Sequence, residues 1–162
     1  MIAAAERVSL DERARIEDLY ARYAAVLDDG DFDAWPAFFV EDAVYKVVAR
    51  ENHDRGLPLA LLAFESRGML RDRVYAVTQT LFHEPYYQRH LISGILARRD
   101  GEGFAARANY CVVRTKAGAL SEVYSAGRYD DRIVEDGGEL RFARKLVIFD
   151  SELIPNSLIY PL

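Results

Sequence analysis

With 162 residues, the chain is long enough for one domain with a substantial core, since a chain of this size buries roughly 70% of its unfolded surface. A hydrophobic fraction of 51% and a charged fraction of 29% are ordinary for a globular protein, and the net charge of -5, with both signs interspersed, argues against nucleic acid as a partner because phosphate binding needs a basic field. No apolar run approaches the ~20 residues that span a bilayer, and the single Cys111 excludes an internal disulfide and any multi-cysteine metal site. The opening MIAAAERVSLDERAR meets Glu6 and Arg7 before any long apolar core, so it does not read as a signal peptide. The expectation is one cytoplasmic domain over residues 1–162, with an N-terminal arm at 1–10 and an apolar C-terminal tail at 151–162.

Ser9-Leu10-Asp11-Glu12 fits a capping box. Ile16, Leu19, Tyr20, Tyr23, Val26 and Leu27 then form one apolar helical stripe. Asp11–Arg15 and Asp18–Arg22 are acid-before-base pairs suited to the solvated face. Asp28-Asp29-Gly30-Asp31 ends this helix. A short aromatic segment follows, with Phe32, Trp35, Phe38 and Phe39, and either Asp31 or Asp33 can cap it. Pro36 is tolerated there in the first turn. Ala43 to Val48 reads as a strand, Arg50 to Pro58 as a polar loop, and Leu59 to Phe64 as a further short strand. From Ser66 the pattern is helical again, through Leu70, Val74 and Val77, and Thr78 to Tyr87 reads as a loop.

Four long segments then follow, at Arg89–Arg98, Phe104–Thr115, Leu120–Ile133 and Leu140–Phe149. Compact turns separate them: Asp100-Gly101-Glu102-Gly103, Lys116-Ala117-Gly118 and Glu135-Asp136-Gly137-Gly138. Asp-Gly and Gly-Gly between β-rich runs mark hairpins, so this half is an antiparallel meander. Strands this long must twist and coil. The expected fold is α+β: a cone-shaped, strongly curved antiparallel sheet with the N-terminal helices packed in its concave face.

The chain offers little chemistry by motif. His53, His83 and His90 have no metal-ligand spacing, one cysteine cannot hold a Rieske cluster, and no GxSxG, Walker or GxGxxG motif occurs. One acid–base arrangement stays open. A cone can enclose a pocket, and Tyr23, Tyr45 and His90, with Asp42, could line it for isomerisation or dehydration. The same residues also read as core aromatics and a hydrogen-bonded strand histidine. A small-ligand binding domain would need the same pocket without the acid–base pair.

Strict alternation places Arg144 between Phe142 and Leu146 on an apolar strand face, opposite Arg141 and Lys145. Such a charge needs a partner, either Glu122 or Asp130 on the neighbouring strand or a second subunit. Glu122, Tyr124, Arg128, Tyr129 and Asp130 give the third segment a Tyr/Arg-bearing surface suited to an interface. The tail, with Leu153, Ile154, Leu158, Ile159, Tyr160 and Leu162, needs cover from its own body or from a neighbour. The interface candidates are Arg144, Glu122, Tyr124, Arg128, Tyr160 and Leu162.

Several stretches, taken in order, resemble the small (β) subunit of aromatic-ring-hydroxylating dioxygenases over nearly the whole chain. They are Leu27-Asp28, Asp31-Phe32-Asp33-Ala34-Trp35, Phe38-Phe39, Asp42, Tyr45 and Arg89-His90. Within that family the chain is most similar to the branch serving aromatic carboxylates such as terephthalate, salicylate and anthranilate. The residues carrying this are Asn52-His53, Gly56-Leu57, Met69-Leu70, Asp72-Arg73, Tyr87, Gly127, Tyr129, Asp150-Ser151 and Pro161-Leu162. The resemblance implies the cone fold of nuclear transport factor two and scytalone dehydratase, and an assembly of three large and three small subunits. It places the Rieske iron-sulfur cluster and the mononuclear iron in the large (α) subunit. It implies a mainly structural role here, with no cofactor and no catalytic residue in this chain, and self-association as a trimer.

Overall fold

The structure, a computed structural model, describes residues 7–153 and 158–162. Residues 1–6 of the expected arm and Ile154 of the expected tail lie outside the described residues. Helix α1 spans Leu10–Asp28, and both halves of its capping box form: the Glu12 amide donates to Ser9 Oγ at 3.1 Å, and the Ser9 amide donates to Glu12 Oε2 at 2.8 Å. Ile16, Leu19, Tyr20, Tyr23 and Leu27 are its buried stripe. Asp18 and Arg22 pair as expected at 2.7 Å, whereas Arg15 reaches across to Glu135 instead of back to Asp11. Gly30 ends the helix at φ +73°, a conformation only glycine adopts readily.

A 3-10 turn at Trp35–Phe38 follows, with Pro36 in its first turn and Ala34 at its N-cap. Neither Asp31 nor Asp33 caps it, because the turn starts too late for their side chains. Strand β1 is Phe39–Ala49. The stretch expected to be a polar loop opens with a five-residue helix, α2, at Arg50–Asp54, closed by Gly56 at φ +65°. Strand β2 is Leu62–Phe64. Helix α3, Arg67–Tyr75, is capped by Ser66 Oγ, which accepts from the Met69 amide. The loop expected from Thr78 begins instead as a π-helical turn over Ala76–Thr80, where the Thr78 and Thr80 hydroxyls bond back to the Val74 and Ala76 carbonyls.

Four strands complete the chain: β3 (Tyr86–Asp100), β4 (Gly103–Lys116), β5 (Glu122–Asp136) and β6 (Glu139–Phe149). The sheet order is β2-β1-β6-β5-β4-β3, and the sheet is curved and unclosed. The meander is antiparallel throughout, and β1 joins it parallel to β6. Gly137-Gly138, both at positive φ, connect β5 to β6 as a two-residue loop of the type I′ pattern. The described part of the arm meets the free edge of β3 through an Arg7–Arg98 bridge.

Among the described residues three β-bulges interrupt the antiparallel meander, and the β1–β6 pairing has a further register shift between Phe39 and Val44. Gly94, at φ +61°, starts an extra residue in β3. Tyr124 is the extra residue of β5, between the pairs Val113–Val123 and Val112–Ser125. Ala143 is the extra residue of β6, between Ile133–Phe142 and Arg132–Arg144. Each insertion bends its strand and reverses the inside–outside alternation beyond it. Leu140 and Phe142 face the core before Ala143; Lys145, Val147 and Phe149 do so after it. Arg144 therefore lies half exposed on the outer face, bonded to Asp130 Oδ1 at 2.9 Å, and Lys145 is the fully buried cation of this strand. Strict alternation assigned these two the wrong way round.

Strands β5 and β6 approach closely at Gly127, where a Cβ would stand 2.0 Å from the Ile148 carbonyl oxygen and 2.9 Å from Phe149 Cα. Gly127→Ala is expected to destabilise the fold by about 2–3 kcal/mol or more through forced strand separation. Gly68→Ala, whose Cβ would meet only Ser66 Oγ at 3.5 Å, is expected to be neutral or stabilising by up to about 1 kcal/mol. Urea unfolding of the two variants checks the contrast.

Candidate functional site

The concave face of the sheet and the buried stripe of α1 enclose an interior rich in tyrosine. At its centre Lys145 Nζ donates to Asp131 Oδ2 at 3.0 Å, with both side chains fully buried. Tyr20 donates to the same oxygen at 2.6 Å, and the Leu146 amide donates to Oδ1 at 3.2 Å. Aromatic rings box the ammonium: Nζ lies 3.4 Å from the Tyr129 centroid and 4.6 Å from those of Tyr23 and Phe142. Ring quadrupoles attract a desolvated cation, yet burial still dominates its protonation. Desolvation, opposed by Asp131, lowers the Lys145 pKa to about 8. Desolvation likewise raises Asp131, against the pull of Lys145 and Tyr20. It also holds the Tyr20, Tyr23 and Tyr129 hydroxyls well above the ordinary phenol range.

A second polar pair sits where α1 meets β3. His90 Nδ1 lies 2.6 Å from Asp28 Oδ1, and the His90 amide donates to the same carboxylate at 3.0 Å. Both side chains are buried, and His90 Nε2 has no protein partner. A carboxylate-oriented imidazole of this kind can hold or pass a proton. Beside the pair an open cleft of about 360 Å³ lies between α1 and β3, lined by Tyr20, Ala24, Asp28, Arg89, His90 and Ile92 among others.

The third locus is the mouth of the cone. Tyr23 Oη donates to the main-chain oxygen of Leu162 at 2.7 Å, and Tyr45 Oη donates to the same oxygen at 3.2 Å and accepts from the Leu162 amide at 3.0 Å. Arg73 donates to the Leu158 and Ile159 carbonyls at 2.7 and 2.9 Å. The Tyr160 ring packs on Tyr86 and Phe32, and its hydroxyl lies 3.0 Å from His83 Nε2. Residues 158–162 thus plug the cone, and beside them a cavity of about 30 Å³ remains, lined by Val47, Tyr124, Phe149 and Leu162 among others.

Of the residues proposed to line a reactive pocket, Tyr23 and Tyr45 do converge, but on the chain's own Leu162. His90 is turned to Asp28, and Asp42 is exposed on β1. Among the interface candidates, Tyr160 and Leu162 are buried by this chain itself, so for them the cover comes from within. Glu122 pairs with Arg114, whose guanidinium lies 4.2 Å from the Tyr124 centroid. Arg128 stands 3.6 Å from Asp54. Lys145, Asp131, Asp28 and Arg73 carry much of the geometry and were not among the expected site residues, although Asp28 and Arg73 stand in the stretches that carry the family resemblance. Asp28 had a usable signal: it lies eight residues beyond Tyr20, on the buried stripe. Among the described residues no three His, Cys, Asp or Glu side chains cluster as metal ligands, and no helix is long and apolar enough to cross a membrane.

The central pair yields a sharp test. Lys145→Met strands Asp131 in the core and is expected to cost about 3–5 kcal/mol, while adding Asp131→Leu should recover most of that loss. With its pKa at about 8 in the fold against 10.5 ordinarily, Lys145 binds fewer protons folded than unfolded between those values. Its desolvation penalty is complete below that window and relieved as pH rises through it, so this group makes stability rise with pH there. Lys145→Met should abolish that rise, as read from urea midpoints across the window.

The SnoaL-like domain family matches residues 8–145. The anthranilate 1,2-dioxygenase small subunit of Burkholderia cepacia is 38% identical over 146 residues, covering 89% of this chain and 90% of that protein. A terephthalate 1,2-dioxygenase terminal oxygenase component subunit beta 2 from Comamonas sp. is 30% identical, covering 88% and 93%. A crystal structure assigned as the β subunit of an aromatic-ring-hydroxylating dioxygenase from Novosphingobium aromaticivorans superposes with a TM-score of 0.85 at 36% identity, covering 95% of this chain and 100% of that one. With its cone fold and its match to both curated subunits over most of their length, the chain belongs to the SnoaL-like family and, within it, to the small subunits of aromatic-ring-hydroxylating dioxygenases.

Proposed function

We propose that this chain is the noncatalytic small subunit of the terminal oxygenase component of a Rieske non-haem iron ring hydroxylase acting on an aromatic carboxylate. The observation that carries this is the 38% identity to an anthranilate dioxygenase small subunit along almost the full length of both chains. On this reading the Rieske cluster and the mononuclear iron belong to the large subunit, and this chain contributes one domain, residues 1–162, to a cytoplasmic hetero-hexamer of three large and three small subunits. Neither nucleic acid nor membrane takes part. Stand-alone isomerase or dehydratase activity would use the open cleft beside Asp28 and His90; the identity to a small subunit along almost the full length of both chains favours the subunit reading.

The outer face of the sheet supports self-association as a trimer. Leu91 pairs across to Cys111, and Val113 to Val123. Tyr87, Leu91 and Val123 stand exposed on that side, alongside Arg128 and Arg144 with their partners Asp54 and Asp130, whereas Glu122, paired with Arg114 in register with the buried Gln88, lies on the opposite face. Exposed aromatic and aliphatic side chains rimmed by arginine ion pairs are the composition of a docking surface.

Tagging this chain and co-expressing it with a Rieske-type large subunit should recover both, with iron in the complex; the isolated small subunit should be colourless and iron-free, and stoichiometric iron in it would overturn the placing of both metal centres in the large subunit. In size-exclusion chromatography the isolated chain should run as a trimer, and Leu91→Asp with Val123→Asp should yield a folded monomer.

A further inference from the structure

The segment that closes the cone is held as a ligand is held. Its main chain receives or gives hydrogen bonds at Leu158, Ile159, Tyr160 and Leu162, and the partners come from α1, β1, α3 and the start of β3. Two phenol hydroxyls converge on one oxygen, that of Leu162, while the Leu162 side chain is buried in the apolar cluster. Arg73 adds a guanidinium at the rim, and its Nε is buried without a partner. Two aimed donors, a nearby cation and apolar walls make a site for an acyl oxygen attached to a compact apolar body.

We infer that the cone of this subunit is a latent binding site for an apolar monocarboxylate about the size of a leucine residue, occupied in the structure by the chain's own residues 158–162. Tyr23 and Tyr45 hold the carboxylate, Arg73 supplies the compensating charge once the Leu158 and Ile159 carbonyls leave it, and the vacated Leu162 volume takes the apolar body. A tethered occupant competes at an effective concentration on the order of millimolar, so the intact chain binds such a ligand far more weakly than a shortened one. The inference stands independently of the subunit assignment, since plug and receptor lie on one chain.

The test is a chain ending at residue 157, titrated with 4-methylpentanoate and followed by the fluorescence of Trp35. This is the sole tryptophan, and its ring lies edge-on to Tyr45 at 5.3 Å. The shortened chain should show a saturable change and the full chain none at the same concentrations. Tyr45→Phe in the shortened chain should weaken binding about ten-fold or more, the loss expected for a hydrogen bond to a charged group. 4-Methylpentan-1-ol, which lacks the acyl oxygen, should bind correspondingly less. A folded shortened chain that gives no saturable change, or one that responds equally to acid and alcohol, overturns the inference. If the shortened chain does not fold alone, the peptide Leu-Ile-Tyr-Pro-Leu added in trans should restore its circular dichroism saturably, and failure to do so overturns it equally.

Discussion

A lysine ammonium sits at the centre of the cone, and its burial constrains everything around it. Asp131 and Lys145 face each other directly across β5 and β6, so their bond ties the register of the two strands to the pairing of two charges. A slip of either strand by one residue would carry its charge to the opposite face and leave the other buried without its partner. Tyr20 bonds the same carboxylate from α1, which attaches the helix to the sheet at one point. Helix position and strand register thus meet in a single buried cluster. The stacked rings of Tyr110 and Tyr129, at 4.7 Å, continue that cluster across to β4.

The same packing explains why this cone suits an assembly role. Related geometry could carry acid–base chemistry, and the Asp28–His90 pair has the form of it. Chemistry also needs a chamber that substrate can enter. Here residues 158–162 fill the mouth of the cone, and the space beside the pair is an open cleft between α1 and β3. The unspent surface lies outside, on the convex side of the meander, where exposed aliphatic residues alternate with arginine–carboxylate pairs. A small subunit that contributes rigidity and surface to a larger oxygenase would be built in this way.

Local signals were legible where neighbouring residues decide the outcome. The Ser9–Glu12 box, the apolar stripe of α1, Ser66 at the start of α3 and the glycine turns of the meander depend on atoms a few residues apart. The short helix α2 was missed because it lies in a polar stretch with no hydrophobic period to betray it; the helical period did reach Val77, and only Thr78–Thr80 of the π-helical turn, which follow the last apolar residue, were read as loop. Arg144 shows a different kind of miss. Its neighbours alternate cleanly, but one inserted residue at Ala143 shifts the phase, and a bulge has no signature of its own when the extra residue is an alanine.

The sequence alone determined the α+β class, the four-stranded meander, the short aromatic segment of Phe32, Trp35, Phe38 and Phe39, and the family to which their order points. These follow from period, turn chemistry and motif order, all readable along one dimension. Only the tertiary structure decided that β1 runs parallel to β6, that Lys145 and not Arg144 is the buried charge, and that Tyr23 and Tyr45 meet Leu162 and not a substrate. Each of those outcomes joins residues far apart in sequence. Pairing across such distances is set by which buried polar groups can find partners once the sheet has curved.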